Sequence, residues 1–267
     1  MNERIVKYLK YRRHLHRASS VILSFPKSGR TFLRFAIGLY LKELHRLEIP
    51  LKEITETQHF HYRFNLPLIF FDHFGSPHLK SYRKIGSINL NLLKSKSKIF
   101  LYRDPRPVVY SNYFQFFERG DCNKVVNERL PPKNIEQFIF GELGGLKSIA
   151  EYYKLIKDLG NQNEILFVSY KNMIQKKYDI LKDIIKYLAI DFDKRIVLKV
   201  VAESDKDNMA QLEKNGLLND YHFGGSNKLN SKVNMDRPKW NEALSSSTVD
   251  RMNEFCEDHF DPMFLEF

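Results

Sequence analysis

Residues 21–32 read VILSFPKSGRTF, and this segment alone predicts the kind of fold that the chain adopts. Val21 to Phe25 form a short apolar run ended by Pro26, which indicates a buried β-strand. A tight polar loop follows with Gly29 at its turn, and from Thr31 onward apolar residues recur at helical spacing. A strand, a loop and a helix in this order leave unpaired backbone N–H groups at the helix N-terminus, where an anion is favoured.

The loop carries the side chains that a phosphate cradle needs. Lys27 supplies a mobile positive charge, Ser28 and Thr31 supply hydroxyl donors, and Gly29 lets a ligand approach the backbone closely. A Walker loop has a glycine four residues before Gly-Lys-Ser/Thr, whereas here the lysine precedes the only glycine. The pattern therefore favours an anion-binding loop and weakens a magnesium-dependent NTPase. The alternative is an ordinary strand–turn–helix with a surface lysine.

The rest of the chain alternates predicted strands with predicted helices. Apolar runs predict strands at 67–73, 98–102 and 165–168, and helical periodicity covers 105–117, 135–159 (interrupted at Gly141, Gly144 and Gly145), 178–188, 192–201 and 245–260. This alternation predicts an α/β fold with a mostly parallel central sheet, helices on both faces and a P-loop-like nucleotide-binding architecture. We expect a single domain over 1–267, with the ligand beyond the carboxyl ends of the strands. Loops are predicted at 51–64 and 120–134, and a long mobile one at 219–238; these would shape an acceptor pocket.

Composition restricts the partners. The chain has 43 Lys and Arg against 32 Asp and Glu, giving a net charge of +11. This surplus suits a nucleotide, an acidic glycan or an anionic membrane surface, while the absence of a known nucleic-acid motif predicts no nucleic-acid partner. The basic segment 1–20 lacks the apolar core of a signal peptide, and no apolar stretch is long enough to span a membrane. Cys122 and Cys256 are far apart in the sequence, which argues against a disulfide framework or a zinc knuckle and favours a reducing compartment. We therefore expect a cytoplasmic protein, and the basic segment is either a peripheral membrane contact or a solvated helix.

Two motifs together resemble one family. The Pro26-Lys-Ser-Gly-Arg-Thr-Phe32 loop resembles the phosphosulfate loop of sulfotransferases that use 3′-phosphoadenosine-5′-phosphosulfate (PAPS). The segment 99–111 resembles the family's 3′-phosphate motif, in which a strand ends in Arg-x-Pro and a serine follows eight residues later; Arg103 and Ser111 keep that spacing. Tyr170, after the fourth predicted strand, matches the tyrosine of the family's Tyr-Glu-Asp segment.

The resemblance implies a transfer of a sulfuryl group from PAPS to a hydroxyl group of a small-molecule or glycan acceptor, with no metal. It implies that Lys27 stabilises charge on the departing phosphate, and that Thr31 binds the 5′-phosphate. Phe32 stands where the family usually has a tryptophan that stacks on adenine, although a plain core aromatic is the alternative. Arg103 and Ser111 would take the 3′-phosphate; the guanidinium suits bidentate contact with it. An ion pair of Arg103 with Asp104 or with a neighbouring helix is the competing interpretation, and for Ser111 it is an ordinary helix position.

The general base is predicted to be His73. Histidine suits proton removal near neutral pH, and the family's base lies just after the second strand, where His73 stands. Its neighbour Asp72 would point to the opposite face of the strand, so its direct help is doubtful. His78 is the competing candidate. His59 and His61 are more remote ones, and their spacing has no third partner for a metal site.

Three departures from the family separate this chain from its relatives. Arg30 replaces a small threonine, and is either an extra phosphate contact or a solvent-facing side chain. Tyr170 is followed by Lys-Asn. The C-terminal basic segment that closes over the 3′-phosphate is degraded, with Trp240 as the match for its tryptophan. The candidates for its basic residues are Lys228, Lys232, Arg237 and Lys239.

Two other functions stay open at this point. An irregular P-loop kinase would use ATP and magnesium, and Asp104 is the one tempting carboxylate for the metal. A non-enzymatic binder of anionic polymers would use the net positive charge, with a strongly salt-dependent affinity.

Overall fold

A computed structural model describes residues 3–126, 128–219 and 238–266. Its four strands are β1 (Ser20–Ser24), β2 (Ile69–Asp72), β3 (Ser97–Tyr102) and β4 (Leu166–Ser169). The helices are α1 (Glu3–Arg17), α2 (Arg30–Leu44), α3 (Thr57–Phe64), α4 (Pro105–Phe117), α5 (Ile135–Ile139), α6 (Leu146–Gln162), α7 (Tyr170–Gln175), α8 (Lys177–Tyr187), α9 (Lys194–Glu203), α10 (Lys206–Lys214), α11 (Trp240–Ala243) and α12 (Ser246–His259). Short 3₁₀ turns occupy Leu51–Glu53, Pro77–Leu79, Tyr82–Lys84, Asn91–Leu93, Asp121–Lys124 and Pro262–Phe264.

The four strands form one parallel sheet in the order β2-β1-β3-β4. The order reverses at β1, because the chain passes from β1 to β2 on one side and returns to β3 on the other. Ligands of open parallel sheets bind at the carboxyl edge near such a point. The predicted anion loop follows β1 directly, so the topology places it there. The predicted α/β class, the parallel sheet and the helices on both faces are confirmed.

Alternate residues of β1 face two separate apolar cores. Val21 and Leu23 belong to one, with α1, α4, α6 and α12, whereas Ile22 belongs to the other, with α2, α3, α8 and α9. All three side chains are fully buried. Burying an aliphatic side chain of this size contributes about 1.5–3 kcal/mol. This two-sided burial explains why the run 21–25 contains almost no polar residue.

Most predicted elements are present with ends shifted by one to three residues, and α4 begins and ends at the predicted residues. The three glycines do interrupt the predicted helix 135–159, separating α5 from α6. The loop predicted at 51–64 is wrong, because Leu51–Glu53 is a 3₁₀ turn and Thr57–Phe64 is α3. Phe60 of α3 is buried in the second core, which stabilises a helix that lacks a long apolar repeat.

The basic segment 1–20 contains a helix that packs on the sheet, and its last residue begins β1. Leu15 of α1 is fully buried, so the interpretation of this segment as a merely solvated helix is wrong for one of its faces. Within the described ranges, no helix is both long enough and apolar enough to cross a membrane. Cys122 and Cys256 are both free thiols. Of the long loop predicted at 219–238, residues 220–237 lie outside the described residues.

Candidate active site

The anion loop leaves β1 at Ser24 and enters α2 at Arg30. Two of its residues have left-handed backbone conformations, Lys27 with a φ of 73° and Gly29 with a φ of 91°. These conformations reverse the chain tightly, so that the first amide groups of α2 face back over the end of β1. Gly29, the N-cap residue, has no side chain to cap them, and the first turn of α2 has no acidic residue. The N-terminus of α2 therefore keeps the amide donors and the dipole that an anion needs.

Gly29 has a second reason to be a glycine. A Cβ atom built on it would lie 2.2 Å from Cδ2 of Tyr170. The ring of Tyr170 thus packs directly against the backbone of the anion loop, and no other residue type leaves room for it. Tyr170 begins α7 immediately after β4, so two strand ends meet at this contact.

Arg103 contacts both the Tyr170 ring and the anion loop. Its guanidinium carbon is 4.7 Å from the ring centroid, and its Nη1 donates a hydrogen bond to the carbonyl oxygen of Lys27 at 3.3 Å. The loop and the end of β3 therefore converge, with the guanidinium over the Tyr170 ring. The Arg103 side chain thus lies against the backbone of the loop that carries Lys27.

Arg103 is also fixed through its backbone. The Tyr153 hydroxyl accepts from the Arg103 N–H at 3.2 Å and donates to the Arg103 carbonyl at 2.8 Å. Tyr153 is buried in α6. One phenol thus satisfies both backbone polar groups of Arg103, the residue that follows β3.

Asp104 does not pair with Arg103, so the competing interpretation of Arg103 as the ion-pair partner of Asp104 is wrong. The Asp104 side chain caps α4 by accepting from the Arg106 N–H, and its Oδ2 lies 2.5 Å from Nη2 of Arg106. The Glu266 backbone N–H also donates to it, at 3.0 Å. Asp104 is almost fully buried in these contacts. Its carboxylate is a structural anchor for the start of α4 and is poorly placed to hold a metal ion.

His73 follows β2 and is tied to the strand that leads into the anion loop. Its Nδ1 lies 2.8 Å from the Ser24 carbonyl oxygen and 3.5 Å from the Ser24 hydroxyl. Since a carbonyl only accepts, the short contact assigns the proton to Nδ1, and Nε2 keeps its lone pair. The tautomer needed to receive a proton at Nε2 is therefore set by the neighbouring strand.

Burial chiefly lowers the pKa of His73, well below the ordinary value. The positive charge of Arg30 lowers it further, as does His78 when that ring is protonated, while the hydrogen bond to the Ser24 carbonyl acts in the opposite direction. The imidazole is neutral at pH 7 as a result. Burial is the main influence on the pKa of His78, which it lowers, and on that of the Asp72 carboxyl, which it raises. The charge of Arg30 is a smaller influence that favours a lower pKa at both groups, so this charge acts on the carboxyl edge of β2. Of the two interpretations of Arg30, these effects favour the side chain that faces the site.

Asp72 makes no contact that would orient the ring of His73. This agrees with the prediction that the two side chains point to opposite faces of the strand. Its Oδ2 accepts from the Tyr11 hydroxyl of α1 at 2.6 Å. Burial is the main cause that raises the pKa of Asp72. Asp72 therefore joins α1 to the end of β2.

His78 is a second histidine at the site. Its ring centroid lies 5.5 Å from that of His73, and the rings are nearly perpendicular. Its Nε2 lies 3.7 Å from Oδ2 of the buried Asp121, while its own Nδ1 is buried without a hydrogen-bond partner among the described residues. Burial lowers the pKa of His78 to about 4, although Asp121 acts in the opposite direction. The predicted acceptor segment 120–134 thus reaches the predicted base region through Asp121.

The other predicted residues are placed less decisively. Thr31 and Ser111 are partly exposed, on the first turn of α2 and on α4. Phe32 is partly buried and lines a small cavity of about 10 Å³ with Met173 and Leu181, so its ring packs on the second core. His59 and His61 lie on α3; His61 contacts the Leu66 carbonyl, and His59 is exposed. In the ranges 3–126, 128–219 and 238–266, no group of three or more His, Cys, Asp or Glu side chains could hold a metal ion.

Of the four candidate basic residues of the C-terminal segment, Lys239 lies within the described residues. Lys228, Lys232 and Arg237 lie outside the described residues. Lys239 is the N-cap residue of α11, and its exposed ammonium group is 3.9 Å from Oε1 of Glu242. The ring of Trp240 lies 5.6 Å from the guanidinium carbon of Arg106. This contact places the start of α11 next to α4, the helix that carries Ser111.

Three residues of the site had no signal in the sequence that singled them out. Ser24 supplies a backbone carbonyl, and any residue could do so. The Tyr153 hydroxyl bonds to Arg103, which is 50 residues away in the chain. Asp121 lies against His78, which is 43 residues away. Tyr153 lies on the buried face of a helix where an aromatic residue is expected for packing alone. A position on a predicted helix gives no indication that its hydroxyl holds the end of a strand.

Comparison with known proteins agrees with this fold. The model of the sulfotransferase domain family matches residues 17–264, which is nearly the whole chain. A search of curated proteins finds no match.

Solved structures with the same fold include three with TM-scores of 0.60–0.62. One is the mouse sulfotransferase SULT7A1 complexed with PAP. Its sequence identity is 14%, the match covers 92% of this chain and 86% of that chain, and the TM-score is 0.60. Retinol dehydratase with androsterone and the inactive cofactor PAP is 14% identical. The match covers 93% of this chain and 82% of that chain, with a TM-score of 0.60. Retinol dehydratase with retinol and PAP has 13% identity, coverage of 98% and 88%, and a TM-score of 0.62. At these identities the likeness supports the fold alone.

Proposed function

The chain belongs to the sulfotransferase family and is a PAPS-dependent sulfotransferase, and we propose that the anion loop and Arg103 hold the donor while His73 takes the proton of the acceptor hydroxyl. The observation that carries this assignment is the hydrogen bond from the Arg103 side chain to the Lys27 carbonyl, with the guanidinium over the Tyr170 ring. It joins two segments whose residues are 76 positions apart in the chain, which supports a single site for both cationic residues.

The site fits a nucleotide with two separated anionic ends. One end meets the uncapped N-terminus of α2 and the Lys27 side chain; the other meets the guanidinium of Arg103, with Ser111 following on α4. The ring of Tyr170 packs against Gly29 and under the guanidinium of Arg103, and so supports both segments where they meet. PAPS supplies the sulfuryl group and a phosphate leaving group. All the binding functions are therefore carried by side chains and amides, as positioning and charge stabilisation require.

His73 supplies the proton acceptor. Its Nδ1–H is held by the Ser24 carbonyl, so Nε2 can receive the proton of an acceptor hydroxyl as its oxygen forms a bond to sulfur and the bond from sulfur to the phosphate oxygen breaks. Lys27, whose position the family resemblance assigns to the departing phosphate, balances the charge left there. Ser24 is three residues before Lys27, so one strand end fixes both groups.

The acceptor is a hydroxyl group of a small molecule or a glycan. The ring of His78 lies next to that of His73, and Phe25 packs on His78. Both neighbours are buried, so these contacts support the position of His73 and do not select an acceptor class. Activity on a panel that contains a phenol, a sterol and an oligosaccharide would assign the class.

The other two functions considered at first are disfavoured. A kinase of irregular P-loop needs a carboxylate for magnesium, and Asp104 is already bound by Arg106 and by a backbone N–H. A non-enzymatic polymer binder would leave the convergence of the Lys27 loop, Arg103 and His73 without a use.

Calorimetric titration with adenosine 3′,5′-bisphosphate tests the donor site. We expect the wild type to bind it without magnesium and in preference to ATP. Lys27→Ala should weaken this binding about tenfold or more, as loss of a charge-assisted contact does. His73→Asn should leave the binding unchanged and lower sulfuryl transfer about 10²–10⁴-fold. His59→Asn, on the exposed face of α3, is the matched control for the histidine change. Failure of the wild type to bind the bisphosphate would overturn the assignment.

A further inference from the structure

A basic cleft lies on α1, away from the candidate active site. Four side chains of this helix line it together with one residue from the 3₁₀ turn before β3: Arg12, Arg13, His16, Arg17 and Leu92. Its volume is about 280 Å³, and the four basic residues are all exposed. The cleft therefore presents three guanidinium groups and an imidazole to solvent around one concave surface.

No acidic residue nearby in the chain offsets this charge. Between Glu3 and Glu43 the sequence contains ten Lys or Arg residues and no Asp or Glu. Within the described ranges, neither Arg13 nor Arg17 takes part in an ion pair. Basic residues at the C-terminal end of a helix are favoured by its dipole, but this effect accounts for one or two of them and falls off beyond the last turn. A cluster of this density attracts a polyanion.

The helix that carries the cleft is held rigidly. Leu15 is fully buried under it, the Tyr11 hydroxyl donates to Asp72 at 2.6 Å, and the His14 ring is stacked on Phe70 with an interplanar angle of 8°. The Lys96 ammonium donates to the carbonyl oxygens of His16 and Ala18, at 2.9 and 2.8 Å, and so binds the end of the helix. Because these contacts fix the backbone, the cationic side chains start from a preorganised surface.

The cleft is separate from the donor site. Arg17 lies three residues before β1, at the amino edge of the sheet, whereas Lys27 and His73 lie at the carboxyl edge. A ligand of the cleft would therefore not compete with the nucleotide. The inference below does not depend on the proposed function.

The surroundings of the cleft favour a bilayer over a nucleic acid. Leu9 is 52% exposed. It shares a face of α1 with Arg12, Arg13 and His16, which follow it by three, four and seven residues. Tyr62, 45% exposed, bonds through its hydroxyl to Nδ1 of His14. An exposed aliphatic and an exposed tyrosine beside a row of cations are typical of helices that lie in a membrane interface. We propose that the basic cleft binds the phosphate-type headgroups of an anionic lipid surface, with Leu9 and Tyr62 against the acyl boundary.

Vesicle co-sedimentation of the full chain tests this site. We expect binding to phosphatidylcholine vesicles that contain phosphatidylserine, little binding to phosphatidylcholine alone, and loss of binding as salt is raised. The variant Arg13→Gln/Arg17→Gln should bind the anionic vesicles about tenfold or more weakly. The control Arg195→Gln/Lys214→Gln removes the same charge from exposed positions on α9 and α10, and should bind like the wild type.

Several outcomes would overturn the proposal. Equal losses in both double variants would assign the binding to net charge, and a wild type that ignores anionic vesicles would exclude the site. Tighter binding to a single-stranded oligonucleotide, lost in the Arg13/Arg17 variant alone, would assign the cleft to nucleic acid. The far-UV circular dichroism spectrum of that variant reports whether it is folded, and its titration with adenosine 3′,5′-bisphosphate keeps failure of this proposal distinct from failure of the donor site.

Discussion

The guanidinium of Arg103 donates a hydrogen bond to the carbonyl oxygen of Lys27 at 3.3 Å and lies over the ring of Tyr170. This contact joins the end of β3 to the loop after β1, so the side chain that we propose as a ligand contact also supports the anion loop. The two roles make different predictions. A ligand contact affects only nucleotides that carry the second phosphate, whereas a supporting contact affects every nucleotide that uses the loop.

We expect Arg103→Ala to weaken binding of adenosine 3′,5′-bisphosphate by about 10–150-fold, the loss of a hydrogen bond to a charged group. Binding of adenosine 5′-phosphate, which lacks the 3′-phosphate, should change much less. Arg103→Lys should recover part of the affinity, because an ammonium group keeps the charge but cannot form a bidentate contact. Calorimetric titration of the three proteins with both nucleotides gives the comparison. Equal losses for the two nucleotides would mean that Arg103 acts by holding the loop.

Gly29→Ala should damage both the loop and the donor site. The left-handed φ of 91° costs an alanine about 1–2 kcal/mol, and its Cβ would displace the Tyr170 ring, which lies 2.2 Å away. We expect a lower free energy of unfolding and at least about tenfold weaker bisphosphate binding. Gly86→Ala is the matched control, since a Cβ there meets no atom within 4 Å; its stability should change by less than about 0.5 kcal/mol. A Gly29 variant that binds the nucleotide normally would refute the packing role given to Tyr170.

The order of elements and the convergence of the site could be predicted from the sequence because both have local signals. The run 21–32 combines a two-sided buried strand, a turn glycine and a helical repeat, and Pro105 marks the start of α4 to the residue. The helix α3 was not predictable in this way: its sequence TQHFHYRF contains few aliphatic residues, and Phe60 is buried by tertiary contacts. Local pattern cannot report a helix whose stability comes from packing.

The arrangement around the predicted residues was also beyond the sequence. Arg103 was predicted from its spacing to Ser111, but its attachment to Tyr153 and its stacking on Tyr170 depend on how α6 and α7 pack on the sheet. His73 was predicted from its place after a strand, yet its tautomer depends on the Ser24 carbonyl of a neighbouring strand. These contacts join residues 49 to 67 positions apart, where only the folded topology decides which groups meet.

Arg30→Gln should move the acidic limb of the pH–rate profile to higher pH. The positive charge of Arg30 lowers the pKa of His73, so its removal favours the protonated imidazole and raises that pKa. The acidic limb of kcat/KM for the acceptor, measured at saturating donor, follows the pKa of the base in the donor-bound enzyme. Lys42→Gln, which removes a charge from the other end of α2, should leave the limb in place. A limb unmoved in Arg30→Gln would mean that His73 is not the base or that Arg30 points elsewhere in solution.

His78 should make the folded protein sensitive to mild acid. Its pKa is about 4 in the folded protein, mainly because of burial, and about 6.5 when unfolded. Between these values the unfolded state binds a proton that the folded state does not, so stability is greatest above pH 6.5 and falls as the pH falls toward 4. The loss reaches about 3 kcal/mol for this group alone. His73 acts in the same sense, and Asp72, whose pKa is raised by burial, acts in the opposite sense.

We therefore expect His78→Gln to flatten the pH dependence of the free energy of unfolding between pH 6.5 and about 4.5, measured by urea denaturation at each pH. The variant should also be less stable than the wild type at pH 7, because glutamine replaces a buried ring that packs on Phe25 and His73. His59→Gln, at an exposed position on α3, should retain the slope of the wild type. Parallel curves for the wild type and His78→Gln would show that His78 is accessible to protons in the folded state, and would remove the case for a buried, neutral pair of histidines beside the donor loop.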